Sequence, residues 1–241
     1  MVDLHGIILA DRSAVGLNEL VMCRTSASLP FAGRYRLIDF ALSSLQNAGV
    51  HDVGVIMQQD YQSLLDHIGS GKEWDMSRKR GGLRLLPPFG RQSGMGGYVS
   101  AIDALLAVEG YIRDIKQNYI YLVHGSLAVN LDLGALMRAH VKSGADVTAV
   151  CTPGTPKETH HRFVTAPRLA LQLGERSVHA GEKTAGGVAA VFYVIIVITE
   201  FFCQIEVHRK GVLGHADGGI AGDIRQYIRR APPRACPTRL S

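Results

Sequence analysis

The sequence predicts an α/β fold in which a mostly parallel sheet is flanked by helices. Three observations predict it. Short apolar segments of strand length recur along the first 150 or so residues. They are nearly continuous in apolar character, as strands buried on both faces are. Helical segments of about 10 to 16 residues separate them, the spacing of crossover connections between parallel strands.

The elements follow in order. Leu4 to Ala10 is a short apolar strand leading into a polar loop. Ile38, Leu42 and Leu45 recur at helical spacing, and Gln46-Asn47-Ala48-Gly49 supplies a glycine stop. Asp52 to Gln58 and Tyr119 to His124 are buried strands, and Asp146 to Cys151 is another. Ala101 to Lys116 carries Ile102, Leu105, Leu106, Val108 and Ile112 on a broad apolar stripe and reads as one helix. Leu131 to Ser143 is a third helix, closed by Gly144. The apolar run Val188 to Ile198 is too short for a bilayer, which needs about 20 residues, and reads as a buried strand. In such a sheet a ligand binds at the carboxyl ends of the strands, so Ile7–Arg12, Gln58–Tyr61 and Gly125–Ala128 are expected to converge on one cleft.

Composition narrows the class. Apolar residues make up 46% of the chain and mean hydropathy is +0.09, values of a globular protein rather than a disordered one. The net charge of +5 is concentrated late: residues 201–241 hold seven Lys/Arg against three acidic residues. The basic balance therefore belongs to the tail and argues against a nucleic-acid partner. Two regions follow, a domain over residues 1–200 and an atypical Arg/Pro-rich tail over 201–241. The four cysteines (Cys23, Cys151, Cys203, Cys236) stand apart, without metal spacing, as reduced thiols of a cytoplasmic protein do. MVDLHGIILAD is a first strand, not a signal peptide, and no membrane partner is expected.

Four ordered blocks carry a family resemblance: PFAGRYRLIDF (Pro30–Phe40), NAGVHDVGVIMQ (Asn47–Gln58), HIGSGKEWDMSRKRGG (His67–Gly82) and GADVTAV (Gly144–Val150). Over roughly Gly6 to Cys151 the chain resembles the glucose-1-phosphate adenylyltransferases, and GSGKEWD resembles their GlgD-type subunit. The resemblance implies a Rossmann-like, GT-A-like nucleotidyltransferase fold. It implies the reaction of ATP with glucose 1-phosphate to ADP-glucose and pyrophosphate, in glycogen biosynthesis. That reaction needs positioning, cationic groups and a carboxylate-held Mg²⁺, and no side-chain nucleophile.

Several of the family's groups are replaced. Where the resemblance implies a glycine-rich phosphate loop, this chain has Asp11-Arg12-Ser13-Ala14-Val15-Gly16. The signature lysine is Ser26, and a neutral hydroxyl does not substitute for a phosphate-binding ammonium. The metal-holding aspartate is Ser126, after Gly125, which deprives Mg²⁺ of its main anionic ligand. No catalytic and no metal residue is assigned. Gln58, Tyr98, Asp103 and Gly125 match family positions near nucleotide or substrate and stand as vestigial binding candidates. Asp103 reads equally as a first-turn acid favoured by the helix dipole. Arg34, Arg36 and Lys72 are candidates for an anion or effector site, with a surface Arg36–Asp39 pair as the alternative. Gly69-Ser70-Gly71-Lys72 lacks the GxxxxGK[ST] pattern and is not a P-loop. His160-His161 has no partner at ligand spacing.

The expectation is a regulatory, catalytically impaired GlgD-type subunit that partners a catalytic adenylyltransferase subunit, binding ATP and glucose 1-phosphate only as far as the site is retained. The alternatives are an active sugar-phosphate nucleotidyltransferase and a decayed fragment. No C-terminal β-helix of the family's kind is identified. The texture change near residues 185–210 is read as a frame shift or gene decay; an uninterrupted frame with the same stop in independent isolates would sink that idea.

Overall fold

The computed structural model describes residues 3–10, 17–79, 81–87, 101–145, 147–153, 169–173, 176–179 and 190–198. The loop 11–16, Tyr98, His160-His161 and the tail 201–241 lie outside the described residues.

Eight strands form the main sheet: β1 (Leu4–Ala10), β4 (Val53–Met57), β5 (Leu83–Leu86), β6 (Tyr119–His124), β7 (Val147–Pro153), β8 (Leu169–Leu173), β9 (Arg176–His179) and β10 (Ala190–Ile198). Their order is β5-β4-β1-β6-β10-β7-β8-β9. The first four are mutually parallel, with Ile8 opposite both Val55 and Val123. β10 enters antiparallel to both β6 and β7. A separate small hairpin pairs β2 (Pro30–Phe31) with β3 (Tyr35–Arg36).

Alternation along the strands divides the core into two layers. Leu4, Ile8 and Ala10 of β1, Val53, Val55 and Met57 of β4, and Tyr121 and Val123 of β6 share one cluster. It is covered by α1 (Ile38–Asn47), α2 (Gln62–Ile68) and α5 (Leu133–Ser143). Ile7, Leu9, Ile56, Ile120 and Leu122 are buried on the opposite face, where α3 (Ala101–Ala107) and α4 (Glu109–Arg113) contribute Ala104, Leu105, Val108 and Ile112. The parallel strands β1, β4 and β6 are thus covered on both sides, as apolar parallel strands require.

Helix ends follow local chemistry. Gly49 closes α1 with φ 73° and donates its N–H to Gln46 O at 2.9 Å. α5 starts at Leu133, not Leu131, because Asp132 caps it by accepting from Ala135 N at 3.0 Å. Gly144 ends it in the left-handed conformation, as expected. The single helix expected over 101–116 is two. Val108 leaves helical geometry (φ −106°, ψ 22°), and the break allows Val108 and Ile112 both to be buried while Tyr111 reaches Gly54. β5, β8 and β9 were not anticipated. Among the described residues no helix is long and apolar enough to cross a membrane.

Candidate functional site

The carboxyl ends of β1, β4 and β6 meet at one edge of the sheet. Gln58 N–H donates to Ala10 O at 3.3 Å, and Gly125 N–H donates to Leu9 O at 2.8 Å. Gln58 is half-buried and Gly125 buried. Gly125 is steric in its requirement: a Cβ there would lie 2.9 Å from the Ala27 Cβ and 3.2 Å from Ile8 Cγ2. The segments expected to converge do so where they are described.

Ala27 belongs to a 3-10 turn, Ser26–Ser28, that packs against Gly125 and against α2. Thr25, Ser26, Ala27 and Ser28 are all 0% exposed. Ser28 donates through both its N–H (3.1 Å) and its hydroxyl (2.9 Å) to Thr25 O. The Thr25 hydroxyl is buried and makes no hydrogen bond. Such an orphan costs about 1–3 kcal/mol, and sequence reasoning passed over it because nothing local marks its burial. Just beyond Gln58, Asp60 holds a left-handed φ of 57°, a conformation that Asp tolerates better than most residues.

Ser126, beside Gly125, is half-buried and offers a neutral hydroxyl. Among the described residues no three His, Cys, Asp or Glu side chains gather where they could hold a metal ion. Among the described residues Ser126 offers Mg²⁺, a hard cation held through carboxylate oxygens, only a neutral hydroxyl.

Asp103 is exposed in the first turn of α3. α3 and α4 form the crossover from β5 to β6, strands of the same direction, so the chain runs back along the sheet from the cleft end to the opposite pole.

The three cationic candidates have separate settings. Arg34 is exposed, its guanidinium 5.4 Å from the Tyr35 ring centroid. Lys72 is exposed and opens a three-residue 3-10 turn after α2, which is not the strand-to-helix setting of a P-loop lysine. Arg36 is not in a surface pair with Asp39. Its Nη1 donates to the Ser63 hydroxyl at 2.6 Å and also to Ser63 O. Asp39 is 8% exposed and accepts from the Arg36 backbone N–H at 3.0 Å, while its Oδ1 lies 2.7 Å from His67 Nε2.

A second polar cluster occupies the opposite, amino-terminal pole. Tyr111 OH bonds His5 Nε2 at 2.8 Å, and Asp52 accepts from Gly82 N at 2.8 Å and from Gln117 Nε2 at 2.6 Å. Burial lowers the His5 pKa to about 4, against a smaller raising effect of Asp52. Burial likewise raises Tyr111, so the phenol stays protonated beside a neutral imidazole.

Gln58 and Gly125 thus stand just beyond the carboxyl ends of parallel strands, where ligands bind in open α/β sheets. Residues 5–164 match the nucleotidyl transferase family, and the chain belongs to it. It is 36% identical over 159 residues to the glycogen biosynthesis protein GlgD of Geobacillus stearothermophilus, covering 64% of this chain and 45% of that protein. It is 32% identical over 161 residues to the glucose-1-phosphate adenylyltransferase of Clostridium novyi, covering 67% and 42%. The chain thus spans less than half the length of these relatives. A Bacillus anthracis crystal structure assigned as a glucose-1-phosphate thymidylyltransferase, in complex with a sucrose, shares the fold: TM-score 0.63, 17% identity, 94% of this chain and 83% of that one.

Proposed function

We propose that the chain is a GlgD-type subunit of a glucose-1-phosphate adenylyltransferase in glycogen biosynthesis, cytoplasmic, impaired in catalysis and regulatory toward a catalytic partner subunit. The observation that carries this reading is the neutral character of the groups around Gly125: the fully buried turn Ser26–Ser28, whose Ala27 packs on that glycine, and the half-buried Ser126 hydroxyl. Phosphoryl transfer is driven by cationic groups and metal aimed at developing phosphate charge. Neutral hydroxyls and a methyl supply neither, and Ser126 withholds the carboxylate that Mg²⁺ requires. Similarity to GlgD and to the adenylyltransferases supports the pathway. The retained positions Gln58 and Gly125, at the ends of the two strands that flank β1, favour the second reading, an active nucleotidyltransferase.

The test is pyrophosphate release from ATP and glucose 1-phosphate with Mg²⁺, by this chain alone and with its organism's catalytic subunit. A chain inert alone that shifts the partner's rate or effector response supports the proposal. Unaided turnover overturns the reading of Ser26 and Ser126 as disabling, and silence in both assays leaves a decayed fragment.

A further inference from the structure

A closed ring of contacts joins the strand-end site to the elements around it. The buried turn Ser26–Ser28, whose Ala27 packs on Gly125, leads through Leu29 into the hairpin β2–β3, which ends at Arg36. Three residues on, Asp39 lies in the first turn of α1. Both residues reach α2, at opposite ends. Arg36 Nη1 donates to the Ser63 hydroxyl at 2.6 Å and to the Ser63 carbonyl, and Asp39 Oδ1 lies 2.7 Å from His67 Nε2. The Arg36 N–H donates to Asp39 Oδ2 at 3.0 Å and so joins the two grips. α2 closes the ring by packing back on the turn Ser26–Ser28.

α2 has only seven residues, too few to persist without tertiary contacts, and Tyr61 before it makes no side-chain cap. Its buried residues Leu64 and Ile68 lie in the same apolar cluster as Ala27, Trp74 and Met76. Apolar contact is non-directional and leaves rotation and slide open, whereas hydrogen bonds have a preferred geometry. The connection Gln58–Tyr61 spans from β4 to α2 in four residues. At one end the Gln58 N–H donates to Ala10 O at 3.3 Å; at the other Tyr61 O accepts from Leu64 N and Leu65 N, both at 2.9 Å. So short a connection takes its position from what holds its two ends.

We infer that Arg36 and Asp39 are positioning residues for the strand-end site: they clamp α2 at its start and its end and thereby set where Gln58 stands. Arg36 is in this sense a support inside the fold and not a cation that receives an effector. The clamp rests on the contacts between the hairpin, α1 and α2; its effect on a nucleotide rests on the function proposed above.

Hydrogen exchange of the full chain at neutral pH tests it. Arg36→Met keeps an apolar stem and loses the guanidinium, and Asp39→Ala removes the other grip. Each is expected to speed exchange at both ends of α2 alike, at Leu64 and Leu65 and at Gly69, whose N–H bonds Leu65 O at 2.9 Å. The expected factor is about tenfold, the step that one net hydrogen bond supplies. The Gln58 amide is expected to follow, while the amides of β1 keep the wild-type rate. Asp39→Asn, which retains an acceptor oxygen, is expected to keep more of the protection than Asp39→Ala. An effect confined to the end that each residue touches, an unchanged Gln58 amide, or faster exchange spread evenly over the sheet overturns the inference.

Calorimetric titration separates the clamp from the function proposed above. MgATP affinity about tenfold weaker in Arg36→Met than in the wild-type chain supports both, and equal affinity overturns the positioning role. No MgATP binding by the wild-type chain counts against a nucleotide site, and the clamp then stands or falls on exchange alone. Inorganic phosphate that binds the wild-type chain but not Arg36→Met, with α2 exchange unchanged in that variant, makes Arg36 an anion ligand and overturns the inference.

Discussion

His67 Nε2 lies 2.7 Å from Asp39 Oδ1, with both side chains largely withdrawn from solvent at 16% and 10% exposure. The pair joins α1 to α2 across 28 residues of sequence, and the Trp74 ring closes over the imidazole edge-on at 6.2 Å. Asp39 also accepts from the Arg36 backbone. Asp39→Ala removes the carboxylate partner of the part-buried Arg36 N–H and His67 imidazole, and a loss of about 1–3 kcal/mol is expected. Urea denaturation reads it directly, and an unchanged midpoint would show that water replaces the carboxylate.

The depressed pKa of His5 predicts acid lability. The ordinary value is 6.5 and the folded one about 4, so between those limits the unfolded chain binds more protons than the folded one. Stability therefore rises with pH through that window, is fully present above about 6.5 and is lost as pH falls toward 4. Lowering the pH from 7 to 5 is expected to cost about 2 kcal/mol from this group alone. His5→Gln removes that part of the slope in urea titrations at the two pH values. Asp52→Asn, which takes away the charge that raises His5, shifts the window to still lower pH.

Gly54 is predicted to accept no side chain. An added methyl at 2.6 Å from Tyr111 Cε1 and 2.8 Å from its hydroxyl must displace the ring. Gly54→Ala is expected to destabilise by about 1–3 kcal/mol. The double variant Gly54→Ala/Tyr111→Leu is expected to cost less than the sum of the single changes, since contacting residues couple. Strict additivity in a thermal or urea series would refute the contact.

Restoring charge to the floor is expected to fail one change at a time. Ser26 is 0% exposed, so Ser26→Lys buries an ammonium without its counter-charge and lowers stability by several kcal/mol, of the order of ~3. Ser126 is half-buried, and Ser126→Asp is expected to be tolerated within about 1 kcal/mol. Only a variant with both changes is expected to gain pyrophosphate release. Gain from Ser126→Asp alone would mean that the missing metal ligand, rather than the missing cation, is the principal defect.

The parallel half of the sheet was legible because strands such as Val53–Met57 are apolar at every position, the pattern of burial on both faces. β5 was missed because Arg84 interrupts a four-residue edge strand. The antiparallel entry of β10 was not legible either: a uniformly apolar run carries no record of direction. At the site, Gln58 and Gly125 are candidates that the family resemblance implies, and the structure places each directly after a strand, β4 and β6. Thr25 and the Asp39–His67 pair were not legible, since burial and a partner 28 residues away are decided only by tertiary packing.

The position of β10 sets an order of assembly. The strands that floor the cleft are complete once residue 124 has left the ribosome, yet β6 then has an unpaired side. That side is closed only by residues 190–198, the same strand that ties β7, β8 and β9 to the rest. Synthesis at about 5–20 residues per second leaves an apolar edge open for seconds, a template for pairing with any neighbouring strand. The growing chain is thus most prone to aggregate in the interval between finishing its cleft and receiving the strand that seals it.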